Sequence, residues 1–141
     1  MKTLPEDIAK KIDELSEQGN SFLDEKDDFE SAIKVWKQAL ELLPEPREEW
    51  EACDWLYASI GEAYFLAEKD QESFLYFSKA FELDQSNPFV LFRLGVLHAD
   101  RHEDEKAADL LTQVYDKVGD EIFEGYENYL SLVKSRPQTL H

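Results

Sequence analysis

The sequence contains very little cysteine, few helix breakers and no long apolar run. Its one cysteine, Cys53, cannot form a disulfide within the chain, which fits a reducing compartment. No stretch approaches the roughly 18 uninterrupted apolar residues of a membrane span. The N-terminus also lacks the basic start and apolar run of a signal peptide. We therefore expect a soluble, cytoplasmic protein.

Basic residues are scarce relative to acidic ones. The chain has 15 Lys and Arg against 32 Asp and Glu, which gives a formal net charge of −17. Such a field repels nucleic-acid phosphates and anionic lipid, so we expect neither nucleic acid nor a membrane as partner. It favours encounter with a cationic protein. An acidic helical surface that only needs to stay in solution would have the same composition, and this alternative stays open.

Helical periodicity covers most of the 141 residues, and only five Gly and five Pro interrupt it. Asn87 before Pro88 is typical of an N-cap followed by a first-turn proline. Asp27 with Glu30 resembles a capping box. The pattern predicts seven helices, at about 5–24, 28–43, 46–68, 71–83, 88–100, 103–117 and 121–134.

Small and large side chains recur together at a fixed distance. Two of the five glycines are 34 residues apart, and these two and one further glycine each have a large side chain 16 or 17 residues further on. The glycines are Gly19, Gly61 and Gly95, and the large residues are Trp36, Phe77 and Leu111. This pairing predicts that two helices cross closely where a side chain is missing, with the large residue filling the space beside it.

The spacing resembles the tetratricopeptide repeat (TPR), a helix–turn–helix unit of 34 residues. The resemblance covers about residues 12–119. It implies an all-α fold, a right-handed superhelix of three such units plus a C-terminal capping helix. We expect a single domain over 1–134, with units at about 12–45, 46–86 and 87–119, a capping helix at 120–134 and a flexible tail at 135–141.

In the TPR family, the first helix of each unit lines the concave face of the superhelix. The resemblance therefore implies a partner-binding groove with an aromatic floor and an acidic end. Its residues would be Asn20, Asp24, Trp55, Glu62, Phe65, Phe89, Phe92, Val96 and Asp100. Exposed aromatic side chains of this kind usually mark a partner surface. The alternative is that the capping helix or the N-terminal segment covers them.

The distance from Gly19 to Gly61 is 42 residues, eight more than the repeat. One extra residue falls in the first turn, near Asp27, and seven fall within 44–54. Seven residues are about two helical turns, so we expect the second unit's first helix to begin early, at Pro46, and to project. The projection would add Glu48, Glu49, Trp50 and Glu51 to the partner-binding residues.

Some chaperone-binding TPR proteins hold a C-terminal carboxylate with a Lys/Asn/Asn/Lys/Arg clamp. The corresponding residues here are Ser16, Asn20, Ser59, Phe89 and Arg93. Both lysines are absent, so a terminal-carboxylate ligand is not expected.

Signatures of catalysis and of cofactor binding are weak. His98 and His102 are at i, i+4 and could share a metal, but the sequence between them lacks the Glu of H-E-x-x-H. No glycine-rich phosphate loop occurs. We predict no catalytic activity, no cofactor and no metal site.

Three segments resemble a group of small acidic bacterial TPR proteins that are often encoded beside Rhs or other polymorphic toxins. The segments are WLYASIGEAYFL (55–66), NPFVLFRLG (87–95) and GDEIFEGYENYLSLVK (119–134). The resemblance implies an immunity protein, monomeric alone, that binds and neutralises a cognate toxin. The alternatives are a secretion chaperone that cradles a client segment, and an adaptor that self-associates through the groove.

Overall fold

The computed structural model describes residues 3–134, and within this range the chain is all-α with no strand. The helices are α1 (Glu6–Lys26), α2 (Phe29–Leu42), α3 (Glu51–Leu66), α4 (Asp70–Leu83), α5 (Pro88–Asp100), α6 (Asp104–Val118) and α7 (Glu127–Lys134). Two short 3-10 turns lie at Arg47–Glu49 and Glu121–Phe123. The tail predicted at 135–141 lies outside the described residues. Over residues 3–134, no helix is both long and apolar enough to cross a membrane.

The chain divides between Leu83 and Asp84 into two compact units. The N-terminal unit contains α1–α4, in which α2 packs against both α1 and α3, and α3 packs against α4. The C-terminal unit contains α5–α7, in which α6 packs against both α5 and α7. The predicted single domain over 1–134 stays a prediction.

Glycine is required where the two helices of each pair cross. A Cβ added at Gly61 would lie 3.0 Å from the ring of Phe77, and one added at Gly95 would lie 2.6 Å from Leu111. A Cβ at Gly19 would run into the indole of Trp36. The predicted pairing of small with large residues is therefore confirmed in all three helix pairs.

Ser73 shows why the second helix of a pair also needs a small residue at the crossing. It is completely buried, and its hydroxyl donates to the carbonyl oxygen of Gly61 at 2.9 Å. The large residues beside the crossings form the cores, with Phe77 buried in the N-terminal unit and Leu111 in the C-terminal unit. Truncating a buried ring such as Phe77 to alanine costs about 3–5 kcal/mol.

Each helix pair turns through a non-glycine residue with a left-handed backbone. Asp27, Glu68 and His102 have φ values of 50°, 61° and 62°. Asp27 follows Gly19 by eight residues, whereas Glu68 follows Gly61 by seven. The extra residue predicted near Asp27 is therefore accommodated before the turn, where it lengthens α1. A left-handed conformation costs such residues roughly 1 kcal/mol each.

The N-cap of α2 is one residue later than predicted. Asp27 ends α1, and the carboxylate of Asp28 accepts from the backbone N–H of Ser31 at 3.1 Å. Hydrogen bonds from Ser31, first its hydroxyl and then its backbone N–H, hold the pKa of Asp28 below its ordinary value. At the start of α5 the prediction is confirmed, because Oδ1 of Asn87 accepts from the N–H of Phe89 at 3.0 Å.

The predicted early start of a projecting helix at Pro46 is wrong. A 3-10 turn occupies Arg47–Glu49, and α3 begins only at Glu51. Between them Trp50 has an extended backbone (φ −98°, ψ 135°), and its indole Nε1 donates to the carbonyl oxygen of Pro44 at 2.8 Å. The hydrogen bond of the indole N–H and the partial burial of the ring stabilise this extended conformation more than continuation of the helix would. The inserted residues therefore form a loop, called here the 44–50 loop.

The predicted capping helix at 121–134 consists of two shorter elements, called together the 121–134 segment. Its 3-10 turn at Glu121–Phe123 is separated from α7 by Gly125, which has a left-handed φ of 83°. Glycine adopts this conformation without steric cost, and it ends the turn. The break allows Phe123 and Tyr126 to pack against the same residue of α5, Phe92.

Candidate binding surfaces in the two units

In the C-terminal unit, the α5 face is the surface of α5 that carries Phe92, Val96 and Asp100. Phe92 is 2% exposed and Val96 is 1% exposed. The rings of Phe123 and Tyr126 both meet the Phe92 ring edge-to-face, with centroids 5.2 Å apart in each pair. The expectation that this face stays open does not hold at Phe92 and Val96. At Phe92 the alternative holds instead, because the chain's own capping segment covers this residue.

Arg93 reinforces the cover of the α5 face. Its Nη1 donates to the hydroxyl of Tyr126 at 3.2 Å. Its guanidinium carbon lies 5.2 Å from the ring centroid of Phe89, 5.6 Å from that of Phe92 and 5.5 Å from that of Tyr126. Arginine stacks well on aromatic faces, so this side chain joins α5 to the 121–134 segment.

Asp100, at the end of α5, is also used within the unit. The hydroxyl of Tyr129 on α7 donates to its Oδ1 at 2.6 Å. Burial, followed by the hydrogen bond and the charge of Asp100, raises the pKa of Tyr129 to about 12. Of the predicted residues on α5, Phe89 keeps the most accessible aromatic ring, at 37% exposed.

In the N-terminal unit, the α3 face is the surface of α3 that carries Trp55, Glu62, Phe65 and Leu66. Trp55 is 39% exposed and Leu66 is 43% exposed. Glu62 and Phe65 are partly exposed. The face thus offers one accessible indole, one accessible aliphatic side chain and one carboxylate. Of the predicted groove residues on α1, Asn20 and Asp24 are both exposed.

The 44–50 loop and the first turn of α3 place acidic side chains near the α3 face. Glu48, Glu49 and Glu51 are exposed, whereas Trp50 is half-buried and bonded to Pro44. A cleft of about 560 Å³ lies where this segment meets the start of α1. Its lining residues are Thr3, Leu4, Ala9, Ile12, Asp13, Glu49, Trp50, Glu51, Ala52 and Trp55.

The sequence prediction put Glu49, Trp50 and Glu51 on a projecting helix and Trp55 in the groove, and it did not name the apolar wall that the cleft shares with them. Leu4 and Ile12 form part of that wall. Ile12 lies on α1, but Leu4 precedes the helix, so helical periodicity gave no signal that joins the two. The position of this apolar wall relative to the 44–50 loop depends on how the inserted residues fold.

The remaining candidate groups have structural partners. Nδ1 of His98 lies 3.2 Å from Oε1 of Glu103 and is the main cause that holds the pKa of Glu103 below its ordinary value. Burial is the main cause that raises the pKa of Cys53, which lies in the first turn of α3 and is completely buried. Over residues 3–134, no group of three or more His, Cys, Asp or Glu could hold a metal ion.

Known proteins resemble this chain in structure rather than in sequence. No family model matches the chain, and no curated protein matches it. Among solved structures, the C-terminal TPR-containing domain of a Plasmodium falciparum protein, described as FK506-binding, aligns with a TM-score of 0.74. The two chains are 21% identical, and the alignment covers 94% of each.

Two further structures give the same result. The first TPR of Spaghetti (RPAP3), bound to the HSP90 peptide SRMEEVD, has a TM-score of 0.70 and 18% identity over 89% of this chain and 95% of that one. The TPR2B domain of yeast Sti1, in a complex with pHsp70, has a TM-score of 0.66 and 19% identity over 89% and 94%. The fold is that of a TPR domain.

In a TPR domain, α3 and α5 correspond to the first helices of two consecutive repeats. Of the five clamp positions, only Asn20 and Arg93 have the residue type of the clamp, and neither lysine position has a lysine. Ser16 uses its hydroxyl to donate to the carbonyl oxygen of Ile12 at 2.8 Å, and Arg93 bonds Tyr126. The absence of a terminal-carboxylate ligand stays a prediction, and these two contacts are consistent with it.

Proposed function

We propose that this chain is a non-catalytic protein-binding module, and that it acts as an immunity protein that binds and neutralises a cationic toxin. The TPR fold is the scaffold, and two proteins with this fold carry bound partners, an HSP90 peptide in Spaghetti and pHsp70 in yeast Sti1. The observation that carries the proposal is the α3 face, on which Trp55 remains 39% exposed. Interfaces draw much of their affinity from a few such aromatic anchors.

The charge of the same region indicates the sign of the partner. Glu62 lies on the α3 face, and the exposed carboxylates of Glu48, Glu49 and Glu51 lie just before and at the start of α3. The formal net charge of −17 extends this field over the chain. A cationic surface would approach such a site faster and would bind it less tightly at high salt.

Binding to the product of the adjacent gene tests the proposal. We expect a 1:1 complex whose affinity falls as salt rises, and protection of cells that express the toxin. Trp55→Glu should weaken the complex by at least about tenfold, since it removes an aromatic anchor and places a charge at the contact. Leu75→Glu is the matched control, because Leu75 is 52% exposed on α4 and lies outside the α3 face.

Equal loss of protection in both variants would contradict a site on the α3 face. Binding that tolerates salt and requires an extended apolar client segment would support the secretion chaperone instead. Light scattering on the isolated protein tests the adaptor hypothesis. We expect a monomer, whereas a stable oligomer would favour self-association.

A further inference from the structure

We propose that the cleft between the start of α1 and the start of α3 is a receptor for one arginine side chain of the partner protein. We call it the Trp50/Trp55 cleft. The inference rests on the proposed function, because it assumes a protein partner with cationic residues. Beyond the proposed function, the inference specifies the side chain of the partner that is recognised and the site on this chain that recognises it.

The cleft is large enough for one long side chain together with part of the backbone that carries it. Its volume of about 560 Å³ falls in the range of small-ligand pockets. One wall is apolar, with Leu4, Ala9 and Ile12 from the beginning of the chain and α1. The aliphatic stem of an arginine can lie along such a wall while its head group reaches the rim.

Two indoles line the opposite side. Trp50 is held in place by the hydrogen bond from Nε1 to the carbonyl oxygen of Pro44, 2.8 Å long. Trp55 is 39% exposed, so part of its ring is available to a ligand. A planar guanidinium stacks on tryptophan more favourably than a compact ammonium group does, which favours arginine over lysine.

The rim supplies the opposite charge. Asp13, Glu49 and Glu51 line the cleft, and none of the described lining residues is basic. The nearest arginine in sequence, Arg47, bonds Glu45 of its own loop at 3.3 Å. Asp13 and Glu51 are both exposed, so they can meet a cation without prior rearrangement of a buried group.

A second cleft in the N-terminal unit serves as an internal comparison. It has a similar volume of about 500 Å³ and lies between the α1–α2 turn and the α3–α4 turn. The lining residues of this second cleft include Lys69 and no tryptophan. It therefore lacks both the stacking surface and the uniformly acidic rim, and we assign the cation receptor to the Trp50/Trp55 cleft.

Short blocked peptides test the assignment directly. The probes are acetyl-Gly-Arg-Gly-amide and its citrulline analogue, which has the same shape without the charge. The readout is the indole N–H resonances of the three tryptophans. We expect the arginine peptide to shift the signals of Trp50 and Trp55 and to leave that of Trp36, which is 1% exposed, in place. The citrulline peptide should bind at least about fivefold more weakly.

Substitutions at the acidic rim distinguish recognition of the positive charge from nonspecific binding of the peptide. In the double variant Asp13→Asn/Glu51→Gln, the preference for arginine over citrulline should fall to nearly one. Glu17→Gln is the matched control, because Glu17 is exposed on α1 and does not line the cleft. Equal binding of the two peptides, or no shift of either indole at up to about 50 mM arginine peptide, would overturn the assignment.

The outcomes also separate this inference from the proposed function. If the arginine peptide occupies the cleft but the adjacent gene product does not bind, the proposed function fails and the cleft stands. If that protein binds the Asp13→Asn/Glu51→Gln variant with unchanged affinity and the peptide shifts neither indole, the cleft fails and the proposed function stands.

Discussion

The α3 face and the α5 face belong to equivalent helices of two helix pairs, yet their residues are covered to different extents. On α3, Trp55 and Leu66 remain accessible to solvent. On α5, Phe89 is about as accessible as Trp55, whereas Val96 is buried and Phe92 is buried against the rings of Phe123 and Tyr126. The repeat pattern is the same in both helices. The difference lies in the middle of the two helices, because α5 carries Phe92 against the 121–134 segment of its own unit, whereas the equivalent position on α3 is Ala58.

This comparison shows how a repeat chain can combine stability with binding. A first helix exposes apolar groups that its own pair does not bury, and some other element must cover them. In the C-terminal unit that element is intramolecular and contributes to folding. In the N-terminal unit the same kind of surface stays accessible, and under the proposed function its burial by a partner would contribute to binding.

The largest expected effect distinguishes the two faces by stability. Phe92→Ala should lower the free energy of unfolding by about 3–5 kcal/mol, because it removes a buried ring with two aromatic neighbours. Trp55→Ala should change it by no more than about 1 kcal/mol, because the side chain is partly solvated. Urea unfolding followed by circular dichroism measures both. Similar losses would mean that the α3 face is also structural.

A smaller effect should follow from loosening the cover of the α5 face without removing a ring. Tyr126→Phe deletes the hydroxyl that accepts from Arg93, and a hydrogen bond to a charged group contributes about 1.5–3 kcal/mol. Tyr115→Phe is the matched control, since Tyr115 is 36% exposed on α6, and it should change stability by less than about 0.5 kcal/mol. Indistinguishable variants would show that Arg93 finds an equally good partner elsewhere.

The smallest expected effect concerns the left-handed turn residue that both units have between paired helices. Glu68→Gly and His102→Gly should each raise the free energy of unfolding by up to about 1 kcal/mol, because glycine adopts the left-handed turn without steric cost. Glu17→Gly, in the middle of α1, should instead lower it by about 1 kcal/mol. Thermal unfolding of the three variants measures the changes. Opposite signs at Glu68 and His102 would indicate that the two turns are not equivalent.

The sequence was sufficient to predict the helix pairs, because their signal is local and repeated. Gly61 and Phe77 are separated by a fixed number of residues, and the same separation recurs at Gly95 and Leu111. The structure places both pairs in contact. Helix boundaries followed from caps such as Asn87, whose side-chain bond is confirmed.

The 44–50 loop could not be predicted in this way, because its shape depends on Trp50. Residues 46–53 contain good helix formers, so local propensity favours a helix. The hydrogen bond from Trp50 to Pro44 and the partial burial of its ring favour an extended residue at that position. Such a competition is decided by tertiary packing, which periodicity does not report.

The candidate site was predictable only in part for the same reason. The TPR resemblance put Trp55 and Phe92 on equivalent faces, but periodicity did not decide which of them the chain would cover. Gly125 was the local clue to a break in the last segment, and with a φ of 83° it separates the 3-10 turn from α7. The Trp50/Trp55 cleft also required the position of the loop beside α1.

Cys53 gives the N-terminal unit a chemical reporter of its own opening. It is the chain's one cysteine, and its thiol has no exposed surface in the folded unit. An alkylating reagent can modify it only while the start of α3 detaches from its neighbours, so the alkylation rate measures how often that event occurs. A ligand that bridges α1 and α3 at the adjacent tryptophans would slow the reaction.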